Sequence, residues 1–171
     1  IRGQHRDYDI WRQLGNKGWS WEDVLPYFIK AENQENGKNE FHGVEGPLSI
    51  ANQRMSLPLL DEFRNAAKEF DIPKTDDFNK GDNHGSGYYQ VTEKDGFRCS
   101  TSVGYLNPVK KRPNLKVITN AHIKKINFEN KVATQVEYWI NNQLFTVSAN
   151  REIILSTGSI GSPQLLHVSA I

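Results

Sequence analysis

The C-terminal run of residues 151–171 constrains the fold of this chain more than any other stretch. It contains an apolar triplet at 153–155, glycines at 158 and 161, and the pair Ser162-Pro163. An unbroken apolar run is typical of a strand buried on both faces, which we predict over 151–156. Ser162 followed by Pro163 is typical of an N-cap and a first helical residue, which predicts a helix over 163–168.

A strand that leads through glycines into a helix N-terminus is how α/β folds build sites for anions and dinucleotides. Gly158 and Gly161 remove side chains where the backbone turns tightly or approaches a ligand. Many connections of this kind also carry two glycines and bind nothing. The local pattern alone therefore leaves two interpretations open, a cofactor site and a plain connection.

The remaining pattern predicts a mixed α+β fold in two regions. Residues 1–114 form a helix-and-loop region, in which Ser20 caps a helix that Pro26 splits and Ser56 caps a second helix that runs to Phe70. Residues 115–171 are rich in β-structure. Four strands at 115–119, 121–128, 132–140 and 144–149 form a meander that leads into the 151–156 strand, the glycine turn and the last helix.

Charge and composition exclude several classes of function. The chain has 171 residues, with 21 basic and 20 acidic side chains and a net charge of +1, so nothing favours a nucleic-acid partner. No apolar stretch approaches the roughly 18 residues of a membrane span. A single cysteine excludes an internal disulfide and fits a reducing compartment, so we expect a cytoplasmic location.

Candidate nucleophiles and metal ligands are weak. Cys99 beside Arg98 suggests a thiol nucleophile, but no histidine is placed as its base, and a small packing residue is the favoured interpretation. The segment 76–84 collects oxygen ligands and a histidine without the order of a calcium-binding loop. The five histidines show no zinc spacing. The sequence therefore predicts no catalytic residue and no metal site.

Longer motifs indicate a family. The run Gly158-Ser-Ile-Gly-Ser-Pro-Gln-Leu-Leu166 resembles the second signature of the glucose-methanol-choline (GMC) family of flavin oxidoreductases, although Ala170 stands where that signature has glycine. Further matches, in the family's order, lie at 1–11, 14–28, 97–106 and 112–115. The resemblance covers the whole chain and is strongest to the bacterial alcohol and choline dehydrogenase branch.

The resemblance implies an FAD cofactor. Thr157, Gly158 and Ser159 would lie beside the flavin nucleotide, and Ile123 would offer backbone groups to the adenine ring. The G-x-G-x-x-G loop is missing from this chain and lies N-terminal to the matching segment in the family. The family's catalytic histidine lies C-terminal to it. We therefore expect an internal piece of a longer protein that is inactive alone and self-associates through exposed core surface.

Two functions follow from these observations. In the first, the chain is a segment of an FAD-dependent oxidoreductase that oxidises a small alcohol, choline-like or another primary alcohol, by hydride transfer to the flavin. In the second, it is a non-catalytic scaffold or interaction module of the same ancestry. A G-x-G-x-x-G motif upstream and a histidine pair downstream in the flanking sequence would support the enzyme.

Overall fold

The structure is a computed structural model that describes residues 1–170. It confirms the mixed α+β class and divides into two compact units, Ile1–Leu115 and the residues from Lys116 onward. The first unit contains, in order, α1 (His5–Gln13), α2 (Trp21–Ala31), β1 (Glu32–Gln34), β2 (Leu48–Ile50), α3 (Pro58–Glu69), β3 (Glu93–Lys94), β4 (Phe97–Arg98), a π-helical turn (Ser102–Leu106) and α4 (Asn107–Val109). The second contains β5 (His122–Glu129), β6 (Val132–Ile140), β7 (Gln143–Ser148) and α5 (Gly158–Val168).

Aromatic side chains of α1 and α2 form the core of the first unit. Tyr8, Trp21 and Val24 are buried together, and Phe28 packs against them. The Tyr8 ring centroid lies 5.9 Å from those of Trp21 and Phe28. The sequence predicts core packing for the three N-terminal tryptophans, and of these only Trp21 is buried.

The start of α2 is the one the sequence predicts. The Ser20 hydroxyl accepts a hydrogen bond from the Asp23 backbone N–H at 3.3 Å, and the Asp23 carboxylate accepts one from the Ser20 N–H at 3.0 Å. This reciprocal pair is a capping box. The predicted split at Pro26 is wrong, because a proline removes only one hydrogen bond and the helix continues to Ala31.

The start of α3 differs from the prediction. Leu57 is the N-cap and Pro58 the first helical residue, while Ser56 makes no capping hydrogen bond. Proline at this position has the helical φ already fixed and lacks an N–H that would need a partner. The amphipathic pattern is present, but Leu59, Phe63 and other apolar side chains of α3 are largely exposed. Self-association through such a surface stays a prediction.

Short pairings complete the first unit. β1 and β2 are parallel neighbours, where the sequence predicts a loop from Asn33 and an edge strand over 46–50. The sequence also predicts a strand over 87–92, but the regular pairing there is limited to a bridge between Val91 and Ala51. The sequence also predicts that a short helix capped by Ser100 ends before Pro108, but the helix continues through this proline to Val109. The missing N–H of Pro108 removes one helical hydrogen bond without ending the helix.

The second unit is built on an antiparallel sheet in the order β5-β6-β7. Both connections have two residues at positive φ, Asn130-Lys131 (50° and 67°) and Asn141-Asn142 (48° and 63°). Positive φ at both central residues matches the twist of the flanking strands, which explains such tight hairpins. Three of the four predicted meander strands are therefore confirmed.

Two predicted strands are wrong. Residues 115–119 and 151–156 are not strands, and Ile154 is 77% exposed. A strand requires a neighbour to accept and donate its backbone hydrogen bonds, and no strand within residues 1–170 pairs with either segment. Apolar character alone therefore predicted strands that have no partner in this part of the chain.

The last helix begins earlier than predicted. It starts at Gly158 with Thr157 as N-cap, and Pro163 lies inside it. Gly158 has a φ of +85°, which turns the extended segment into the helix five residues before the predicted start. The Ser162 hydroxyl, predicted to cap the helix, instead lies 2.9 Å from the Thr157 hydroxyl. Among the helices of residues 1–170, none has the length and apolar character of a membrane span.

The two serines offer a matched test of helix capping. Ser20→Ala removes the hydroxyl of the capping box, so we expect it to lower the free energy of unfolding by about 1 kcal/mol. Ser56→Ala removes a hydroxyl with no capping role, and we expect it to change that quantity by less than about 0.5 kcal/mol. Denaturant unfolding of both variants measures this difference. Equal losses would contradict the assigned start of α3.

Ala170 offers a test of helix termination. It follows the C-cap of α5 at a φ of +66°, a position that favours glycine. Because left-handed backbone costs a side-chain-bearing residue about 1 kcal/mol, we expect Ala170→Gly to stabilise the protein by about that amount. Ala133→Gly in β6 is the control, because glycine at a negative φ in a strand is expected to destabilise. Thermal unfolding would contradict the assignment if both variants shifted Tm in the same direction.

Candidate functional site

A cavity of about 380 Å³ lies where α5 crosses the start of β5 in the second unit. Its walls come from the start of β5, from Trp139 near the end of β6, and from the face of α5 that carries Gly161 to Val168. The lining residues are Ala121, His122, Ile123, Lys124, Trp139, Thr157, Gly161, Gln164, Leu165 and Val168. The volume falls in the range of small-molecule sites, which is about 300–1,000 Å³.

An irregularity in β5 shapes one wall. The pairing register with β6 shifts between Ile123 and Lys125, which leaves Lys124 without a partner of its own. A bulge of this kind interrupts the alternation of side chains and re-aims them. As a result, the consecutive residues His122, Ile123 and Lys124 all line the cavity.

Charge at this wall is paired. The ammonium of Lys124 lies 5.8 Å from the Trp139 ring centroid and 2.9 Å from a carboxylate oxygen of Glu137. Glu137 also accepts a hydrogen bond from the Asn127 side-chain amide at 3.0 Å. These hydrogen bonds, that from Asn127 first, lower the pKa of Glu137 to about 2. The carboxylate therefore stays ionised beside Lys124 over the whole physiological pH range.

Contacts at its C-terminal end hold α5 against β5. The Ser169 hydroxyl accepts a hydrogen bond from the Ile126 backbone N–H at 2.9 Å and donates one to the Leu165 carbonyl at 2.6 Å. Leu165 and Ile126 are both buried. The hydroxyl thus satisfies a backbone N–H of β5 that the sheet leaves unpaired, and the helix axis is fixed relative to the cavity.

The N-terminal end of α5 is open. Thr157 makes no capping hydrogen bond, and the first turn contains no acidic residue. No atom lies within 4 Å of the position that a Cβ of Gly158 would occupy. The first backbone N–H groups of a helix are unpaired within it and carry partial positive charge. This end can therefore accept a negatively charged or hydrogen-bond-accepting group.

The residues that the sequence singles out fall into two groups. Ile123 and Thr157 both line the cavity, although they are far apart in the sequence. Gly158 and Ser159 are the exposed first residues of α5 and do not line it. Cys99, the rejected nucleophile, is buried with its sulfur 3.8 Å from the Pro47 carbonyl oxygen, which fits a packing role.

Sequence reasoning missed several lining residues, among them Trp139, Lys124 and Gln164. The alternation of β6 places Trp139 on one face of the sheet, but no sequence signal says which face meets α5. Reasoning from spacing also missed a buried cluster of charged side chains in the first unit, because its members are joined only by tertiary contacts.

Comparisons with known proteins agree with one another. The family model described as GMC oxidoreductase matches residues 1–171. The chain is 43% identical over 173 residues to an oxygen-dependent choline dehydrogenase of Vibrio vulnificus, covering all of this chain and 31% of the relative. It is 38% identical over 174 residues to an alcohol dehydrogenase (acceptor) of Pseudomonas putida, covering all of this chain and 32% of that relative.

Solved structures give the same result. An FAD-dependent oxidoreductase from Chaetomium thermophilum has a TM-score of 0.88 and 30% identity, and the match covers 100% of this chain and 32% of that one. Pyridoxine 4-oxidase from Mesorbium loti also has a TM-score of 0.88, at 26% identity, with 100% of this chain and 34% of that one covered. The chain spans about a third of the length of the relatives it matches. On these matches, the chain belongs to the GMC oxidoreductase family.

Proposed function

We propose that the protein containing this chain is an FAD-dependent oxidoreductase that oxidises a small alcohol, and that this chain supplies part of the FAD site. Membership of the GMC family supports this, as do relatives named choline and alcohol dehydrogenases that match the whole chain at about 40% identity. The observation that carries the site is the cavity of the second unit, because it brings Ile123 and Thr157 to common walls.

The chemistry of the cavity fits the adenine end of FAD. An adenine ring is apolar on its faces and carries hydrogen-bonding groups on its edge. Ile123, Trp139 and Leu165 supply apolar and aromatic surface, and the Gln164 amide supplies both donors and an acceptor. We infer that the base lies against Trp139 and that backbone groups at Ile123 meet its edge.

The beginning of α5 fits a second part of the same cofactor. Its open N–H groups favour an oxygen-rich, negatively charged group. Thr157, Gly158 and Ser159 would lie beside the flavin nucleotide. Gly158, whose positive φ favours glycine, has no side chain to obstruct that approach. When bound, FAD supplies the hydride acceptor for alcohol oxidation.

We assign this chain binding and orienting roles and no catalytic residue. None of its five histidines matches the position of the family's catalytic base, and the G-x-G-x-x-G loop is absent from its sequence. We therefore expect these residues alone to be inactive. The substrate class we propose is a choline-like or other primary alcohol, since both kinds of name occur among the matching relatives.

The test is to purify the protein as it occurs and to titrate it with FAD while following flavin absorbance and fluorescence. Choline and simple primary alcohols are then supplied with an artificial electron acceptor. We expect saturable FAD binding and reduction of the flavin by at least one alcohol. A protein that neither binds FAD nor is reduced by any of them would favour the non-catalytic scaffold.

Filling the cavity should weaken FAD binding. Gln164→Trp places a bulky ring at the cavity wall, and we expect the Kd for FAD to rise by about tenfold or more, because the ring occupies the volume assigned to adenine. His167→Trp is the matched control, since His167 is an exposed residue of the same helix that does not line the cavity. Fluorescence titration compares the two. Unchanged affinity in Gln164→Trp would remove the adenine assignment.

A further inference from the structure

Four charged side chains form one cluster in the first unit, apart from the cavity described above; two of them are buried and two are partly buried. They are Arg2, Glu32 of β1, His42, and Asp77, which belongs to the segment 71–87. The His42 side chain is only 2% exposed. The Nδ1 atom of His42 lies 3.0 Å from both carboxylate oxygens of Glu32, and its Nε2 lies 2.9 Å from an oxygen of Asp77. The guanidinium of Arg2 forms an ion pair with the carboxylate of Glu32.

This geometry fixes the charge of His42. An ionised carboxylate only accepts hydrogen bonds, and a neutral imidazole has a single N–H. A neutral ring would therefore turn a lone pair toward one carboxylate, whereas the imidazolium donates to both. The charges also balance, because two cations face two anions. With a neutral His42 the cluster would carry one uncompensated negative charge shared by the buried Glu32 and the partly buried Asp77, which is costly.

We propose that His42 is a buried imidazolium that latches the segment 71–87 onto β1, and that loss of its proton releases this segment while the α1–α2 core stays folded. The latch joins two parts of the chain that share no regular sheet. Glu32 belongs to β1, whereas Asp77 belongs to a segment whose strand-like pairing is limited to one bridge, between Lys74 and Ser86.

Several other tethers of this segment converge on the same cluster, while Lys74 and Asp76 contact Asn65 and Arg64 of α3. The Arg2 backbone N–H donates to the Asn79 side chain at 2.8 Å, and the Arg2 carbonyl accepts from the Asn83 amide at 3.2 Å. A further hydrogen bond joins the His5 N–H to the Gly81 carbonyl at 3.0 Å. Because Arg2 is itself held by Glu32, an unbalanced charge at Glu32 and Asp77 disturbs the anchor of the part of the segment around Asn79 and Asn83.

Neighbouring groups do not replace the proton on His42. The Gln34 amide, 3.4 Å from Nδ1, already donates to Glu32 at 3.1 Å and cannot carry charge. The remaining charged and titratable groups near the cluster are Lys80, which lies close enough to act on Asp77, and Tyr8, which acts on Arg2. Lys80 is exposed, so water screens its charge.

The pH range of the release follows from the same contacts. The hydrogen bond to Asp77, and next that to Glu32, raise the pKa of His42 from 6.5 to about 9. Since the pKa in the folded state is above that of the unfolded chain, the stabilisation is complete below about pH 6.5, declines as the pH rises, and is lost above about pH 9. The segment 71–87 is thus expected to be released at alkaline pH and not at acid pH.

The test uses the protein as it occurs, with histidine labelled by ¹⁵N, and follows the imidazole resonances from pH 6 to pH 10. The His42 signal is assigned by its disappearance in His42→Gln. In parallel, hydrogen exchange with peptide resolution gives protection factors, corrected for base-catalysed exchange, for 71–87 and for α2. We expect His42 to be charged at pH 7.5 and to titrate near pH 9. Over the same pH range, the backbone amides of 71–87 should lose protection while those of α2 keep it.

Two variants separate the latch from a merely structural contact. His42→Gln retains a donor but no charge, so we expect 71–87 to be poorly protected already at pH 7 and to show no pH step. His84→Gln is the matched control, because His84 is an exposed residue of the same segment, and it should keep the step. A neutral His42 at pH 7.5, or constant protection of 71–87 up to pH 10 in the unmodified protein, would overturn the proposal even if His42→Gln failed to fold.

Discussion

The second unit depends on how its last helix is fastened to its first strand. A three-stranded antiparallel sheet satisfies its own inner hydrogen bonds, but the outer edge of β5 leaves the Ile126 N–H without a strand partner. The Ser169 hydroxyl accepts that N–H, and the burial of Leu165 and Ile126 adds apolar contact. Because the helix is fixed at this end, one face of α5 lies over the start of β5, and the cavity is the space between them.

Local chemistry in the sequence was sufficient for elements that hold themselves together. The capping box of Ser20 and Asp23 and the Asn-containing hairpin turns have their partners within a few residues, so the start of α2 and the three meander strands were predictable. The segments at 115–119 and 151–156 have equally strong apolar patterns but depend on distant neighbours. Strand pairing depends on the whole sheet, and the hydrophobic periodicity of a single segment does not indicate whether a partner strand is present.

The same distinction applies to the candidate site. Ile123 and Thr157 were predicted through resemblance to a family, since their spacing alone says nothing about proximity. Trp139 and Gln164 were missed because their role arises only when α5 crosses β5. In the sequence, His42 is one of five scattered histidines with no distinguishing spacing. Its partners, Glu32 and Asp77, lie 10 and 35 residues away, and nothing but the tertiary fold joins them.

The two sites differ in how many of their polar groups already have hydrogen-bond or charge partners. In the buried cluster, both nitrogens of His42 are paired with carboxylates and the charges balance, so the cluster has no capacity left for a ligand and acts within the fold. At the cavity, the helix N-terminus has no side-chain cap and Gly158 faces open space. The first residues of α5 are exposed, so their N–H groups are hydrated and free to exchange water for a bound group. That difference is why we assign cofactor binding to the second unit and conformational control to the first.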